Sequence, residues 1–302
     1  MCIRDRTKHD KRIILFGGIR ENMGPSEDII EIEIDPLKSQ KLSTKGVGPG
    51  KRFDHSAVSQ GENLFIFGGN GQCDTNVYRL NLVSLTWTKI ITLSPNQPLL
   101  QMRHGHSAEM IEDKMIIFGG NVKQGNRKTI WGCGPLFEDQ NDLLIFDTVT
   151  EEWTILPDKI EENNSQTLTP SKRSYHASTT YKSHMLITGG TNQTDQELDI
   201  WCLNINTMKW KKISALKQQP SRSRHTTTIY KDKLYLLGGS SPQMCTCDGC
   251  MSEVCTNLSL VLDCIPQLTA LCSAIIITNN LNIDLLPKPL KALLLNDKIN
   301  GD

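Results

Sequence analysis

Five times along this 302-residue chain a short aliphatic run ends in a pair of glycines: Gly17-Gly18, Gly68-Gly69, Gly119-Gly120, Gly189-Gly190 and Gly238-Gly239. Four of the pairs carry an Arg-x-x-His upstream, namely Arg52/His55, Arg103/His106, Arg173/His176 and Arg222/His225, each Arg sixteen residues before the first glycine. A third mark follows, with Asn81, Asp147 and Asn204 each six residues before Trp87, Trp153 and Trp210. Spacing kept over several copies defines a repeat architecture, in which every copy is one supersecondary unit that buries its apolar face only against its neighbours.

The runs before the glycines read IILF, LFIF, MIIF, MLIT and LYLL. Short apolar stretches bounded by turn residues are expected to be strands buried on both faces. The small, β-prone stretches after each Arg-x-x-His (SAVSQ, SAEMI, ASTTY, TTTIY) form a second strand hairpinned to the first. The segments NVYRLNL, DLLIFD and LDIWCLNI alternate well enough to be a third, and the Trp begins a fourth. The glycine pairs recur at 51, 51, 70 and 49 residues, so four strands per roughly fifty residues gives the blade of a propeller. The signature resembles the kelch repeat, and it covers residues 12 to about 262. The expected fold is therefore an all-β kelch β-propeller with five recognisable blades, in a parent of six. In such a blade the motif Arg, His, Gly and Trp are structural, the Trp packing between blades and Arg and His satisfying backbone carbonyls.

The ends depart from this grammar. The first glycine pair has no Arg-x-x-His sixteen residues ahead of it, and Lys41 stands where a Trp would follow Asp35 by six. The propeller is accordingly assigned to residues 1–264, with its first blade incomplete or missing and Met1 to Arg6 foreign to the native start. Lysine plus arginine and aspartate plus glutamate are equal, 33 each, which gives no electrostatic support to a nucleic-acid partner. No stretch of eighteen uncharged apolar residues occurs and no hydrophobic signal core opens the chain, so no membrane partner is expected. The ten cysteines follow no disulfide pattern, and a cytoplasmic or nuclear location is expected.

Residues 265–302 are a separate segment, dense in leucine and isoleucine. Leu268, Leu271, Cys272, Ile275 and Ile276 fall at the spacing of an amphipathic helix, and Leu285-Leu286-Pro287 opens a second. Two such helices either pack on the propeller or dock a partner. Leu268, Cys272 and Ile276 resemble an elongin-binding box, and Leu286-Pro287-Lys288-Pro289 resembles the cullin box that follows it in SOCS-type tails.

A kelch array followed by such a tail resembles the kelch-domain-containing substrate receptors of cullin-RING ubiquitin ligases. The resemblance implies a non-enzymatic adaptor without cofactor. Its propeller captures the C-terminal degron of a substrate protein, and its tail recruits elongin B/C and a cullin, cullin-2 or cullin-5. In that family a serine directly after one motif Arg and the aromatic next to it contact the degron; here these are Ser174 and Tyr175. Arginines after the preceding glycine pair also contribute. This chain departs there, with Asn121 next to Gly120, and offers Lys123 and Arg127 a few residues on, with Arg224 as a further arginine. Each of these cations reads equally as a solvated loop residue. The third repeat is swollen, 33 residues separating its glycine pair from its Trp against 18 and 20 elsewhere. Its insert contains Trp131 and Phe137 and is expected to wall the pocket or to pack on itself.

Cys245, Cys247, Cys250 and Cys255 are candidate zinc ligands, although C-x-C-x-x-C-x-x-x-x-C is not a standard zinc spacing and no metal is assigned. Two rival functions stand beside the adaptor. One is a kelch protein-interaction scaffold without a ligase role. The other is a metal-dependent kelch enzyme, for which only His9, His104 and His184 remain outside the motif.

Overall fold

The computed structural model describes residues 6–9, 12–20, 23–72, 74–91, 100–128, 135–156, 169–191, 197–220, 222–230, 233–244, 251–255 and 259–263. All of its named elements are strands. The chain divides into two compact units, Met1–Tyr175 and His176–Asp302.

The first unit holds three antiparallel sheets of four or five strands, beside two two-stranded pairs, Ile19–Arg20 with Gly24–Pro25 and Arg52–Phe53 with Asn70–Gly71. The first is built from Arg6–His9, Arg12–Phe16, Ile29–Ile34 and Leu37–Leu42 in that order. It has four strands although it lacks the Arg-x-x-His. The second follows the same plan with Ser56–Gln60, Asn63–Phe67, Val77–Asn81 and Thr86–Ile90. The third pairs Ser107–Ile111 and Arg103–His104 with Lys114–Lys128, then adds Pro135–Asp147 and Trp153–Leu156. In the second unit, Ala177–Tyr181, His184–Thr188, Glu197–Asn204 and Lys209–Pro220 make the fourth sheet. Thr226–Tyr230, Lys233–Leu237 and Ser259–Asp263 make a fifth of three strands, flanked by a hairpin of Ser240–Met244 with Met251–Cys255. About four blades are thus recognisable rather than the five expected, because the last run acquires only three strands among the described residues.

The aliphatic runs are buried on both faces for a simple reason. Successive side chains of a strand point to opposite sides. Leu64 and Ile66 pack with Ile14, Phe16 and Ile29 of the first sheet, while Phe65 and Phe67 pack with Met115 and Ile117 of the third. In the second unit Leu186, Leu198 and Ile200 meet Leu234 and Leu236 in the same way. Each fully buried side chain of this kind contributes roughly 1.5–3 kcal/mol.

The constant offset of sixteen has a direct cause. Arg52 Nη1 donates to the Gly68 carbonyl at 2.9 Å, and Arg103 Nη1 donates to the Gly119 carbonyl at 3.0 Å. The backbone carbonyl of each motif Arg in turn accepts from the second glycine of the preceding pair. Gly18 N reaches Arg52 O at 2.9 Å, Gly69 N reaches Arg103 O at 2.8 Å, Gly120 N reaches Arg173 O at 2.9 Å and Gly190 N reaches Arg222 O at 2.8 Å. Glycine is required at Gly68, whose φ is +64° and where a Cβ would lie 2.5 Å from the Arg103 carbonyl oxygen. The Asn/Asp six before each Trp closes the turn into the fourth strand. Asn81 Oδ1 accepts from the amides of Val83 and Ser84, Asp147 Oδ1 from Val149 and Thr150, and Asn204 Oδ1 from Asn206 and Thr207.

The described part of the third-repeat insert is strand. It continues Lys114–Lys128 and Pro135–Asp147 past Gly119-Gly120 as one long hairpin, with register shifts between Phe118 and Gly120 and between Lys123 and Lys128. Trp131 lies outside the described residues.

The tail positions Leu268, Cys272, Ile276, Leu286, Pro287 and Pro289 also lie outside them, as do Cys245, Cys247 and Cys250. Cys255 is described, opposite Ser240, four residues along its strand from Met251. Four residues of strand span about 13 Å.

Candidate functional site

Within the Arg-x-x-His the first and last residues are buried and the two between them are presented differently. The third residue of the motif adopts positive φ in every copy, 54° at Asp54, 63° at Gly105, 55° at Tyr175 and 57° at Arg224. In the first unit these residues link through the backbone, Gly105 N donating to Asp54 O at 2.9 Å and Tyr175 N to Gly105 O at 2.7 Å. The absence of a side chain at Gly105 is needed here, since a Cβ would stand 3.0 Å from the Tyr175 ring. The Tyr175 hydroxyl reaches across the three sheets and donates to Asp54 Oδ2 at 3.3 Å.

The long hairpin brings a second row to the same rim. Residues paired across antiparallel strands share a face. His104 pairs with Asn121, Asn121 with Asp139, and Lys123 with Phe137. These five residues therefore line one face. That face meets the motif loop, because Asn121 Nδ2 donates to Ser174 Oγ at 3.1 Å and the His104 ring stands edge-on to Tyr175 at 6.2 Å between centroids. Phe137, 38 % exposed, closes edge-on over His104 at 4.9 Å.

The rim carries two carboxylates, Asp54 and Asp139, with Lys123 exposed on the same face. Burial pushes the Asp139 carboxyl above the ordinary aspartate range, and a hydrogen bond from Ser174 offsets this only in part. Its Oδ1 is sealed from solvent and meets no hydrogen-bond donor. The neighbouring Glu138 is engaged by Lys172 at 2.6 Å and by Gln124. Arg103 is committed elsewhere, gripping both oxygens of Asp142 at 2.7 and 2.8 Å, and Arg173 turns its guanidinium to Ser171. Two motif histidines are held in the neutral form. Burial, then the charges of Arg103 and His104, lowers His106 to about 3. Burial, then Arg52 and His106, holds His55 well below the ordinary value.

Of the expected site residues the structure brings Asn121, Ser174 and Tyr175 together. Ser174 is wholly buried, at 0 % exposure, and so supports the site from beneath. Lys123 is exposed on the same face. Arg127 belongs to the outer part of the hairpin, and Arg224 belongs to the second unit. As parts of this site Asp54, His104, Gly105 and Asp139 are not marked by the sequence motifs, His104 standing out there only as a histidine for a metal-dependent enzyme. The first three occupy the variable motif positions and were findable by aligning those positions across copies. Asp139 was not, since its pairing depends on the register of the hairpin.

A family model, the KLHDC2/KLHL20/DRC7 Kelch-repeats domain, matches residues 5–247. Kelch domain-containing protein 3 of Homo sapiens is 30% identical over 295 residues, covering 93% of this chain and 72% of that protein. Host cell factor of Drosophila melanogaster is 27% identical over 232 residues, covering 72% of this chain and 15% of that protein. Among solved structures, that titled "Structure of YjhT" superposes with a TM-score of 0.57 at 14% identity, covering 79% of this chain and 72% of that one, which is a likeness of fold alone. Propellers of this kind are generally protein-binding scaffolds, and the rim is built accordingly, with aromatic and hydrogen-bonding side chains presented on rigid strands. The chain belongs to the kelch-repeat domain family and is a homologue of Kelch domain-containing protein 3.

Proposed function

We propose that this kelch protein-interaction domain is the substrate-recognition part of a cullin-RING ubiquitin ligase. Its rim takes the C-terminal segment of a substrate protein, and the segment 265–302 binds elongin B/C and cullin-2 or cullin-5, in the cytoplasm or the nucleus. The observation that carries substrate capture is the convergence of Asn121 and Tyr175, over Ser174, with the long hairpin on one rim. Lys123, and beyond it Arg127, would meet the terminal carboxylate, a role for which a lysine point charge or a forked arginine is suited. The order Leu268, Cys272, Ile276, then Leu286-Pro287 and Pro289, supports the elongin and cullin contacts.

Co-expression with elongin B and elongin C tests the assembly. A stable ternary complex is expected, lost in Leu268→Ser and in Cys272→Phe while the melting temperature of the chain is kept. Absence of a complex, or its survival in both variants, leaves a protein-interaction scaffold without a ligase role.

A further inference from the structure

The aliphatic runs pack by one rule. Alternate residues of a strand face opposite ways, and the second and fourth residues of a run pack with the first and third of the run in the next sheet. Ile14 and Phe16 pack with Leu64 and Ile66, Phe65 and Phe67 with Met115 and Ile117, and Leu186 with Leu234 and Leu236. The rule leaves two half-faces over. One is Tyr235 and Leu237, second and fourth in the LYLL run, and the other is Ile13 and Leu15, first and third in IILF.

Both half-faces lie on open sheet surfaces. In the fifth sheet Thr228 pairs with Tyr235 and Thr226 with Leu237, and the Tyr230 ring stands 6.5 Å from that of Tyr235. Tyr230 is 60% exposed and Leu237 39%. In the first sheet Leu15 pairs with Ile30, Ile13 with Ile32, and Ile34 with Leu37. These six aliphatic residues share one face, and at its edge Ile34 is 48% and Leu37 79% exposed. In the second sheet the counterparts of Ile30 and Ile32 are Tyr78 and Leu80, which are closed over by Ile14, Phe16 and Ile29 of the sheet before. Contiguous apolar surface of this kind marks an interaction site, and the same positions are sealed wherever a neighbouring sheet is present.

We propose that the open face of the fifth sheet in one copy takes the open face of the first sheet in a second copy, so that the chain associates head to tail. The occupant follows from the packing rule. Tyr235 and Leu237 call for a first-and-third pair, Ile13 and Leu15 are such a pair, and every copy carries both. The contact is heterologous, so copies add in one direction until a ring closes or a filament grows. The inference stands apart from the capture of a substrate segment and from the elongin and cullin contacts, and uses none of their residues.

Sedimentation velocity of the full chain over a concentration series tests it. The wild type is expected to associate, and Leu237→Arg on one face or Ile34→Arg on the other to weaken that association about tenfold or more. A mixture of the two variants keeps one intact pair of faces. It should give a one-to-one dimer that grows no further, under conditions where each variant alone is monomeric. A monomeric wild type overturns the proposal. So does either variant that associates as strongly as the wild type, which would signal pairing of like faces, and so does a mixture that stays monomeric. Should Leu237→Arg or Ile34→Arg fail to melt cooperatively, Thr228→Arg and Leu37→Arg, at exposed positions of the same two faces, take their places under the same criteria.

Discussion

The second and third sheets obey the same grammar and do different things. In the second, the run ends at Phe67, the glycine pair breaks the strand, and only Asn70–Gly71 pairs back with Arg52–Phe53. In the third, the strand runs through its glycine pair for 15 residues and carries a partner strand of 13. The inner halves are nearly interchangeable, each burying phenylalanine and aliphatic side chains against its neighbours. The outer halves differ in the residues after the glycines, turn-forming NGQCDTN in one and NVKQGNRK in the other. A propeller keeps its hydrogen-bonded centre constant and varies what projects beyond it, and the projection of the third blade creates the rim.

The largest expected effect tests the constant half. Arg103 is 1 % exposed and bidentate to Asp142, so Arg103→Ala strands a carboxylate and should cost about 3–5 kcal/mol in chemical denaturation. Arg52 instead donates to the carbonyls of Gly68, Gln72 and Pro49, and its replacement by Ala should cost less, about 2–3 kcal/mol. Equal costs would show that the Asp142 pair adds nothing to the third sheet. Next in size, Gly68→Ala must place a Cβ 2.5 Å from the Arg103 carbonyl at positive φ, and about 2–3 kcal/mol of destabilisation is expected from thermal melting.

The histidines give a pH test. His106 has a folded pKa of about 3, below its unfolded value, so the unfolded state binds the proton first. Stability is complete above about pH 6.5 and falls as the pH drops from there towards 3, by up to about 1.4 kcal/mol per pH unit for each such histidine. His106→Gln should lower stability at pH 7 and flatten the slope between pH 6.5 and 4. An unchanged slope would show that His106 does not remain neutral in the folded state. The smallest effect belongs to the projecting half. Phe137→Ala removes one edge-on aromatic contact with His104 and should cost about 1 kcal/mol or less. A larger loss would make the long hairpin part of the core.

Much of this fold was legible because its marks report short-range constraints. A strand of LFIF between two sheets, a glycine beneath a neighbouring carbonyl and an Asx turn before a Trp each act within one repeat or across one boundary, so constant spacing exposes them. The swollen insert was visible by its length, but its shape was not. Lys123 and Phe137 become neighbours only through a register containing two shifts, and alternation within one strand carries no information about its partner. The place of Asp139 on the rim is hidden for the same cause. The sequence offers cations near Ser174 and Tyr175, and nothing in it pairs Asn121 with Asp139.

By itself the sequence determined the repeat, its four-strand plan, and which arginines and histidines are structural, because local geometry repeated at a fixed period leaves one architecture that buries every run. The tertiary structure alone decided which variable residues meet. Asp54, Gly105 and Tyr175 are up to 121 positions apart, and only the stacking of three sheets brings them to one edge, where a hairpin grown from the third supplies Asn121, Phe137 and Asp139. Contacts of that separation depend on how sheets stack and strands pair, which no single window of sequence encodes.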